Sequence, residues 1–368
     1  MTVRAVVLRE YGEPVRVERL RLLPPGPGEV RVRIAASGVC HTDLHVVTGD
    51  LPLPLPMVLG HEGAGVVEAV GPGVTTPAVG QTVVVSWMPS CGECFWCATG
   101  RPDLCERAAY AAARGILPGG GTRWLDQQGE PVYQFSAAGT MAEAAVVPAA
   151  CALPVPADVP PTSAALLGCS VLTGTGAALR TGRVRPGEQV AVFGAGGVGL
   201  QVIQGARIAG ATRIIAVDRL PERRAMALRL GATDAVDPSE VDPVLAVLDL
   251  TGGRGADCAI EAVGTPETIA AAFNSARRGG RAVVVGVCPP AADVCINAFA
   301  LPSQGKTITG CWYGESDPAR DLPDLVEHYR AGRLRLDELV TRRFALEEAQ
   351  AAFAAMTSGA SPRAVLVP

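Results

Sequence analysis

Histidine is scarce in this chain. There are four in 368 residues, and only His328 stands apart from a group formed by His41, His45 and His61. Aromatic residues make up 4% and charged residues 18%, while hydrophobic residues reach 48%. So little charge beside so much apolar material excludes global disorder and leaves enough to bury a large core. The net charge of −4 gives no electrostatic reason for nucleic acid or an anionic membrane as partner. "MTVRAVVLREYGEP" has only a short apolar run before its charges and does not read as a secretory signal. No long hydrophobic run stands in for a membrane span. The uncharged stretch around 159–179 is interrupted by proline, glycine and threonine and reads as a poor one. The expectation is a soluble, cytoplasmic protein without internal repeats or low-complexity segments.

Cysteine, by contrast, is plentiful, with eleven in the chain. In a reducing compartment clustered cysteines point to metal rather than to disulfides. "CGECFWCATGRPDLC" places Cys91, Cys94, Cys97 and Cys105 in a C-x2-C-x2-C-x7-C array. Four thiolates close a tetrahedral shell around Zn2+ and leave no position open, so the site reads as structural. An iron–sulfur cluster shares the spacing of the first three cysteines but fits the fourth poorly.

The length suggests two domains. "RAVVL", "EVRVRIAASGV" and "GAGVVEAVG" read as strands in a β-rich first part with many prolines and glycines. The segment 110–140 reads as a long loop with a hairpin in it. Near residue 165 the pattern changes. "QVAVFGAGGVGLQVIQGARIAGATRIIAVD" reads strand, glycine turn, helix, strand. "PERRAMALRLGA" and "PETIAAAFNSARRGG" read as helices, and "ADCAIEAVG" and "GGRAVVVGV" as strands. This alternation predicts a doubly wound parallel α/β sheet over about 171–312. The tail holds the helix-like "ALEEAQAAFAAM" and the strand-like "RAVLVP", and is expected to return to the first domain.

Gly194, Gly196 and Gly199 form G-x-G-x-x-G between a strand and a helix. Such glycines allow a tight turn, close approach of a pyrophosphate, and close packing of helix on sheet. The helix start, at Gly197 and Val198, supplies N–H donors to phosphate. Asp218 ends the next strand, where an acid binds a ribose 2′-hydroxyl and repels a 2′-phosphate, which favours NAD over NADP. Arg219 and Arg223 pull the other way unless they are surface charges.

The histidine cluster completes the set. A catalytic zinc keeps three protein ligands and one open position. Cys40 in "GVCHTDLH" and His61 in "GHEGAG" are the natural candidates, on two turns of the β-rich part. A third ligand must come from elsewhere. Cys169 in "LLGCSVLTG" stands at the junction between domains, where a cleft would form; a buried apolar cysteine is the competing reading. The Thr42 hydroxyl can take a substrate proton and His45 can release it to water near neutral pH. Asp43 and Glu62 stand beside ligands, as supports or as a structural ion pair. His41 either meets a cofactor phosphate or lies on the surface.

These motifs in this order resemble the zinc-dependent alcohol dehydrogenases of the medium-chain dehydrogenase/reductase family over nearly the whole chain. The resemblance implies a GroES-like catalytic domain over 1–170 and 313–368, with a structural-zinc lobe near 91–105, and a Rossmann domain over 171–312. It implies two zinc ions per chain: Cys40, His61 and Cys169 hold the catalytic one, with Glu62 close behind, and the cysteine quartet holds the other. It gives Thr42 and His45 a proton relay, puts Asp218 and Arg223 at the adenosine ribose, Thr173 against the nicotinamide, and His41 and Arg363 near the pyrophosphate. It lines the substrate channel with Leu51, Trp87, Phe135, Val287 and Trp312. It also suggests a homodimer, because the 110–140 segment is like that of the longer, dimeric members.

The glutathione-dependent formaldehyde dehydrogenases are among those members. They carry an acidic residue near the Leu51 position and a tyrosine where this chain has His45. Neither is present, so the expected substrate is a small primary alcohol or aldehyde, aliphatic or benzylic, with NAD. The glutathione–formaldehyde adduct is the alternative. A non-enzymatic zinc- and nucleotide-binding scaffold is a third reading, but a scaffold has no use for a proton relay.

Overall fold

A computed structural model describes residues 1–359 and 361–368. The chain divides into two compact units. One is Met1–Cys169 with Asp317–Arg330 and Leu336–Pro368; the other is Ser170–Ser316 with Ala331–Arg335.

In the first unit five short strands, Thr2–Leu8, Arg16–Leu22, Met57–Val58, Trp124–Leu125 and Pro131–Gln134, close into a small barrel. Successive side chains of a strand point to opposite faces. Along Thr2–Leu8, Val3, Ala5 and Val7 accordingly join the core that holds Trp124 and Val132, while Val6 and Leu8 join another with Leu59, Phe135 and Met141. Beside the barrel runs a seven-stranded sheet. Its long strand Glu29–Gly38 pairs antiparallel with Gly63–Val70, bulged between Arg31 and Val32 and again between Ile34 and Ala36. The C-terminal strand Arg363–Leu366 pairs with the end of the same strand at Ser37 and Gly38. That pairing brings Gly38, Glu62 and Arg363 together from three distant parts of the sequence, with Gly38 N donating to the Glu62 carbonyl at 2.8 Å.

The second unit contains a six-stranded sheet with every neighbouring pair parallel, in the order Asp234–Val236, Arg213–Val217, Gln189–Phe193, Ala256–Glu261, Ala276–Val284, Thr307–Gly310. The chain reverses its direction of winding between Gln189–Phe193 and Ala256–Glu261. In open α/β sheets a crevice forms outside the carboxyl ends of the strands at such a point.

Several local expectations give way. "HTDLHVVT" is a helix, His41–Thr48, capped by Gly49 at φ 84°, and not a turn. Part of the 110–140 segment belongs to a second helix, Glu106–Arg114, ended by Gly115 at φ 63°. Its alanine row has high helix propensity, and it buries Ala108 and Ala111, one helical turn apart. The hairpin in that segment is present as Trp124–Leu125 against Pro131–Gln134. "ARRGG" belongs to the strand Ala276–Val284, since the helix before it stops at Ser275.

The stretch read as broken is helical from Pro161 to Thr181. It is long and apolar enough to span a membrane, yet it is buried inside the protein. Its prolines sit at the helix start, where a missing N–H costs nothing. Its glycines mark close approaches: a β-carbon on Gly168 would strike the Val85 carbonyl, and one on Gly174 would lie 2.5 Å from the Val198 carbonyl. Two π-helical turns interrupt it, Leu167–Val171 and Ala177–Thr181, and Cys169 rides on the first.

A methyl group at Gly168 therefore has nowhere to go. Gly168→Ala should destabilise the protein by about 1–3 kcal/mol, as overpacking commonly does. The denaturant midpoint should fall measurably, and an unchanged midpoint would mean that the helix does not lie this close to Val85.

Candidate active site

Cys40 caps the N-terminus of the His41–Thr48 helix. Gly60, at φ 95°, turns the chain so that His61 and Glu62 follow. With Cys169 these residues present four ligand atoms within 4.8 Å of one another, and all four residues are buried. Two thiols, an imidazole and a carboxylate at this spacing suit a borderline-soft divalent cation such as Zn2+.

The electrostatics agree with that donor set. Cys40 is held well below the usual thiol range. The hydrogen bond with Cys169 contributes most, burial opposes it, and His61 and Arg363 add to the stabilisation of the thiolate. Cys169 moves well above that range, through Cys40 first and burial second. Burial pushes His61 down, but Asp43 and Cys40 outweigh it and raise its pKa to about 10. A metal ion would displace the remaining protons, since its ligands bind deprotonated.

Asp43 is fully buried, accepts from Gly60 N at 2.9 Å, and places Oδ2 3.2 Å from His61 Nδ1. A carboxylate behind a histidine ligand fixes the ring and leaves the other nitrogen for the metal. Glu62 meets the guanidinium of Arg363, and both side chains are buried. Arg363 thus belongs to the charge balance around Cys40 and Glu62, a position that the sequence did not reveal. Gly38 permits the pair, because a β-carbon there would collide with Glu62.

Thr42 Oγ1 lies 3.5 Å from Cys40 Sγ. His45 follows one helical turn later, partly exposed, with Nδ1 3.6 Å from Asp50 Oδ2. His41 is exposed. Phe135 and Trp87 stand edge-on to His61, with ring centroids 5.1 and 6.4 Å away. Leu51 packs against the core that contains Phe135.

The cysteine quartet lies in a separate lobe, its four sulfurs also within 4.8 Å of one another. Cys91 Sγ and Cys97 Sγ are 3.9 Å apart, close to the ~3.8 Å edge of a tetrahedron with ~2.3 Å Zn–S bonds. Backbone N–H groups of Cys97 and Glu106 lower the Cys94 pKa to about 6, while burial raises that of Cys97 to about 12.

In the second unit the glycine turn matches the demands of a pyrophosphate site. Gly194 adopts φ 90°, and a β-carbon there would sit 2.6 Å from Val263 Cγ2. One on Gly199 would strike the Gly194 carbonyl, whereas Gly196 faces open space with Arg223 Nη1 nearest at 3.9 Å. The helix Gly197–Ile208 starts at this turn, with Gly197 and Val198 partly exposed at its N-terminus. Asp218 is buried. Its oxygens accept from Ala195 N at 2.8 Å and Leu220 N at 2.9 Å, and Arg223 Nη1 is 3.8 Å away. Arg224 donates to the Asp218 carbonyl and pairs with Asp237 at 2.7 Å. Thr173, partly buried, and Val287 and Trp312, both exposed, belong to this unit as well.

Residues 26–157 match the family described as "Alcohol dehydrogenase GroES-like domain", and residues 197–329 match "Zinc-binding dehydrogenase". The chain is 39% identical to an alcohol dehydrogenase class-3 of Myxine glutinosa, over 99% of this chain and 97% of that protein. It is 37% identical to an S-(hydroxymethyl)glutathione dehydrogenase of Synechocystis, over the full length of both. Among solved structures it is similar to benzyl alcohol dehydrogenase from Acinetobacter calcoaceticus, with a TM-score of 0.93 and 33% identity over 100% of this chain and 99% of that one.

The two ligand clusters should separate on substitution. Cys91→Ser should lower the metal content by about one ion per chain and also lower the denaturant midpoint, because a closed four-sulfur site contributes to folding. Cys40→Ser should lose a similar amount of metal and nearly all turnover, with a smaller fall in the midpoint than Cys91→Ser. Full turnover in Cys40→Ser would remove that cluster from the chemistry.

Proposed function

The chain belongs to the zinc-binding alcohol dehydrogenases of the medium-chain dehydrogenase/reductase family, and from that premise we propose that it interconverts primary alcohols, benzylic ones included, and their aldehydes with NAD. The observation that carries the substrate class is the aromatic wall of Trp87 and Phe135 edge-on to His61. Flat rings beside the ligand cluster favour an unbranched chain or another ring over a branched carbon. The likeness to a benzyl alcohol dehydrogenase supports the same reading.

Cys40, His61 and Cys169 would hold the catalytic zinc, with Glu62 behind it, and Cys91, Cys94, Cys97 and Cys105 would hold a structural one. When bound, the catalytic zinc supplies a Lewis acid that lowers the pKa of an alcohol. The protein's own residues do the rest. Asp43 holds His61 in one orientation. The Thr42 hydroxyl, beside Cys40, accepts the alcohol proton. Thr42 and His45 are three residues apart on one helix and share a face, so His45 is placed to pass that proton to water. Gly196 leaves space for the pyrophosphate against the start of the Gly197–Ile208 helix. Asp218 accepts the adenosine ribose hydroxyls, and its buried carboxylate repels a 2′-phosphate, which supports NAD.

A glutathione-linked substrate is the second reading, favoured by the likeness to S-(hydroxymethyl)glutathione dehydrogenase. Leu51, packed against an apolar core, offers no charge to a peptide-like adduct, and His45 stands where those enzymes carry tyrosine.

Steady-state rates with NAD should be highest for primary aliphatic and benzylic alcohols, and lower with NADP. Formaldehyde turnover should not depend on added glutathione. Faster oxidation of secondary alcohols, or strict dependence on the thiol, would refute the proposed substrate class. Thr42→Ala should lower kcat about 100-fold or more, the usual scale of lost acid–base assistance, with metal content unchanged. A kcat within about twofold of the unsubstituted protein would remove Thr42 from the relay.

A further inference from the structure

Glu261 is the last residue of the strand Ala256–Glu261, the first strand beyond the reversal of the parallel sheet. It is fully buried. Oε1 accepts from Val263 N at 2.7 Å, Gly264 N at 2.7 Å and Thr268 Oγ1 at 2.8 Å, whereas Oε2 is buried with no hydrogen-bond partner among the described residues. Its backbone carbonyl accepts from Val285 N at 2.8 Å and Gly286 N at 3.2 Å. One residue thus ties together the turn that follows its own strand and the turn that follows the next.

Three glycines interlock around it. A β-carbon on Gly286 would lie 2.6 Å from Glu261 Oε2. One on Gly264 would lie 2.5 Å from the Val287 carbonyl, and one on Gly194 2.6 Å from Val263 Cγ2. The turns after three adjacent strands, Gln189–Phe193, Ala256–Glu261 and Ala276–Val284, are therefore stacked with no space between them, and the carboxylate lies inside the stack. Burial of a carboxylate is costly unless hydrogen bonds compensate it. Here the compensation comes from the backbone of one of those turns and from a hydroxyl in the first turn of the helix Pro266–Ser275.

A dinucleotide lies across the crevice at the carboxyl ends of such strands. The glycine turn takes the pyrophosphate, and Asp218, just past the neighbouring strand to one side, takes the adenosine half. The nicotinamide half then falls on the other side of the reversal, over the turns that Glu261 ties. We propose that Glu261 is a positioning residue for the nicotinamide half of the cofactor: it sets the height of the Val263–Gly264 and Gly286–Val287 turns relative to the glycine turn. It touches no substrate. This inference rests on the dinucleotide reading of the second unit.

The test is a pair of titrations of the purified, zinc-containing full chain, one with NADH and one with ADP-ribose, which lacks the nicotinamide. Glu261→Ala should weaken NADH about tenfold or more and ADP-ribose by less than about threefold. Glu261→Gln keeps one acceptor oxygen and should restore most of the NADH affinity. NADH binding by Glu261→Ala within about twofold of the unsubstituted protein, or an equal loss for both ligands, would overturn the inference, the second outcome marking a purely structural role. If Glu261→Ala does not fold, Thr268→Val carries the test, since it removes one donor to Oε1. It should weaken NADH about threefold and leave ADP-ribose unaffected, and an unchanged NADH affinity would overturn the inference. Failure of the unsubstituted protein to bind either ligand would remove the dinucleotide reading itself and this inference with it.

Discussion

Two thiols, an imidazole and two carboxylates are buried together around Cys40, with one guanidinium among them. Such a collection is costly in a protein interior unless every charge has a counter-charge. Arg363 meets Glu62, and His61 meets Asp43. Contact between the two sulfurs holds the Cys40 thiol low and pushes the Cys169 thiol up. A divalent cation would take the place of the protons on His61 and the thiols, and the donor types suit zinc better than harder ions. The layout of the first unit follows from this requirement. The bulged strand Glu29–Gly38 delivers Cys40, Gly60 turns His61 inward, a π-helical turn carries Cys169, and the C-terminal strand returns Arg363 to the cluster.

The second unit solves a different problem, bringing backbone close to a bound phosphate. It does so by removing side chains. Gly194, Gly264 and Gly286 let three turns pack against one another, and Gly196 leaves the approach open. Removing side chains also removes what would hold the turns rigid. Buried hydrogen bonds take over that task, from Asp218 to Ala195 N and Leu220 N and from Glu261 to Val263 N and Gly264 N. The two carboxylates sit on either side of the glycine turn and act in the same way, each fixing a turn that has no bulk of its own.

How much of this could be read from the letters varied with the range of the interactions. The cysteine quartet and the glycine turn are local, and their spacing alone describes them. The alternation of strand and helix after residue 165 revealed the parallel sheet for a similar reason. The helix His41–Thr48 was hidden because it is short and has no apolar stripe. The helix Pro161–Thr181 was hidden because its glycines and threonines look like breakers, and only the tight contact with Val85 explains why they are there. Arg363 reaches Glu62 through a strand pairing of Val365 and Leu366 with Gly38 and Ser37, and no local pattern announces a pairing across so many residues. Glu261 gave one faint signal, a lone acid closing the apolar run "CAI".

On the proposed function, a zinc ion held by Cys40, His61 and Cys169 is required for alcohol oxidation with NAD. The most direct measurement follows NADH formation from benzyl alcohol while a chelator removes metal and zinc is then restored. Activity should disappear with the loss of about one ion per chain, before the structural ion leaves and the protein unfolds, and it should return on adding zinc. Undiminished oxidation of the alcohol after that ion is gone would contradict the claim.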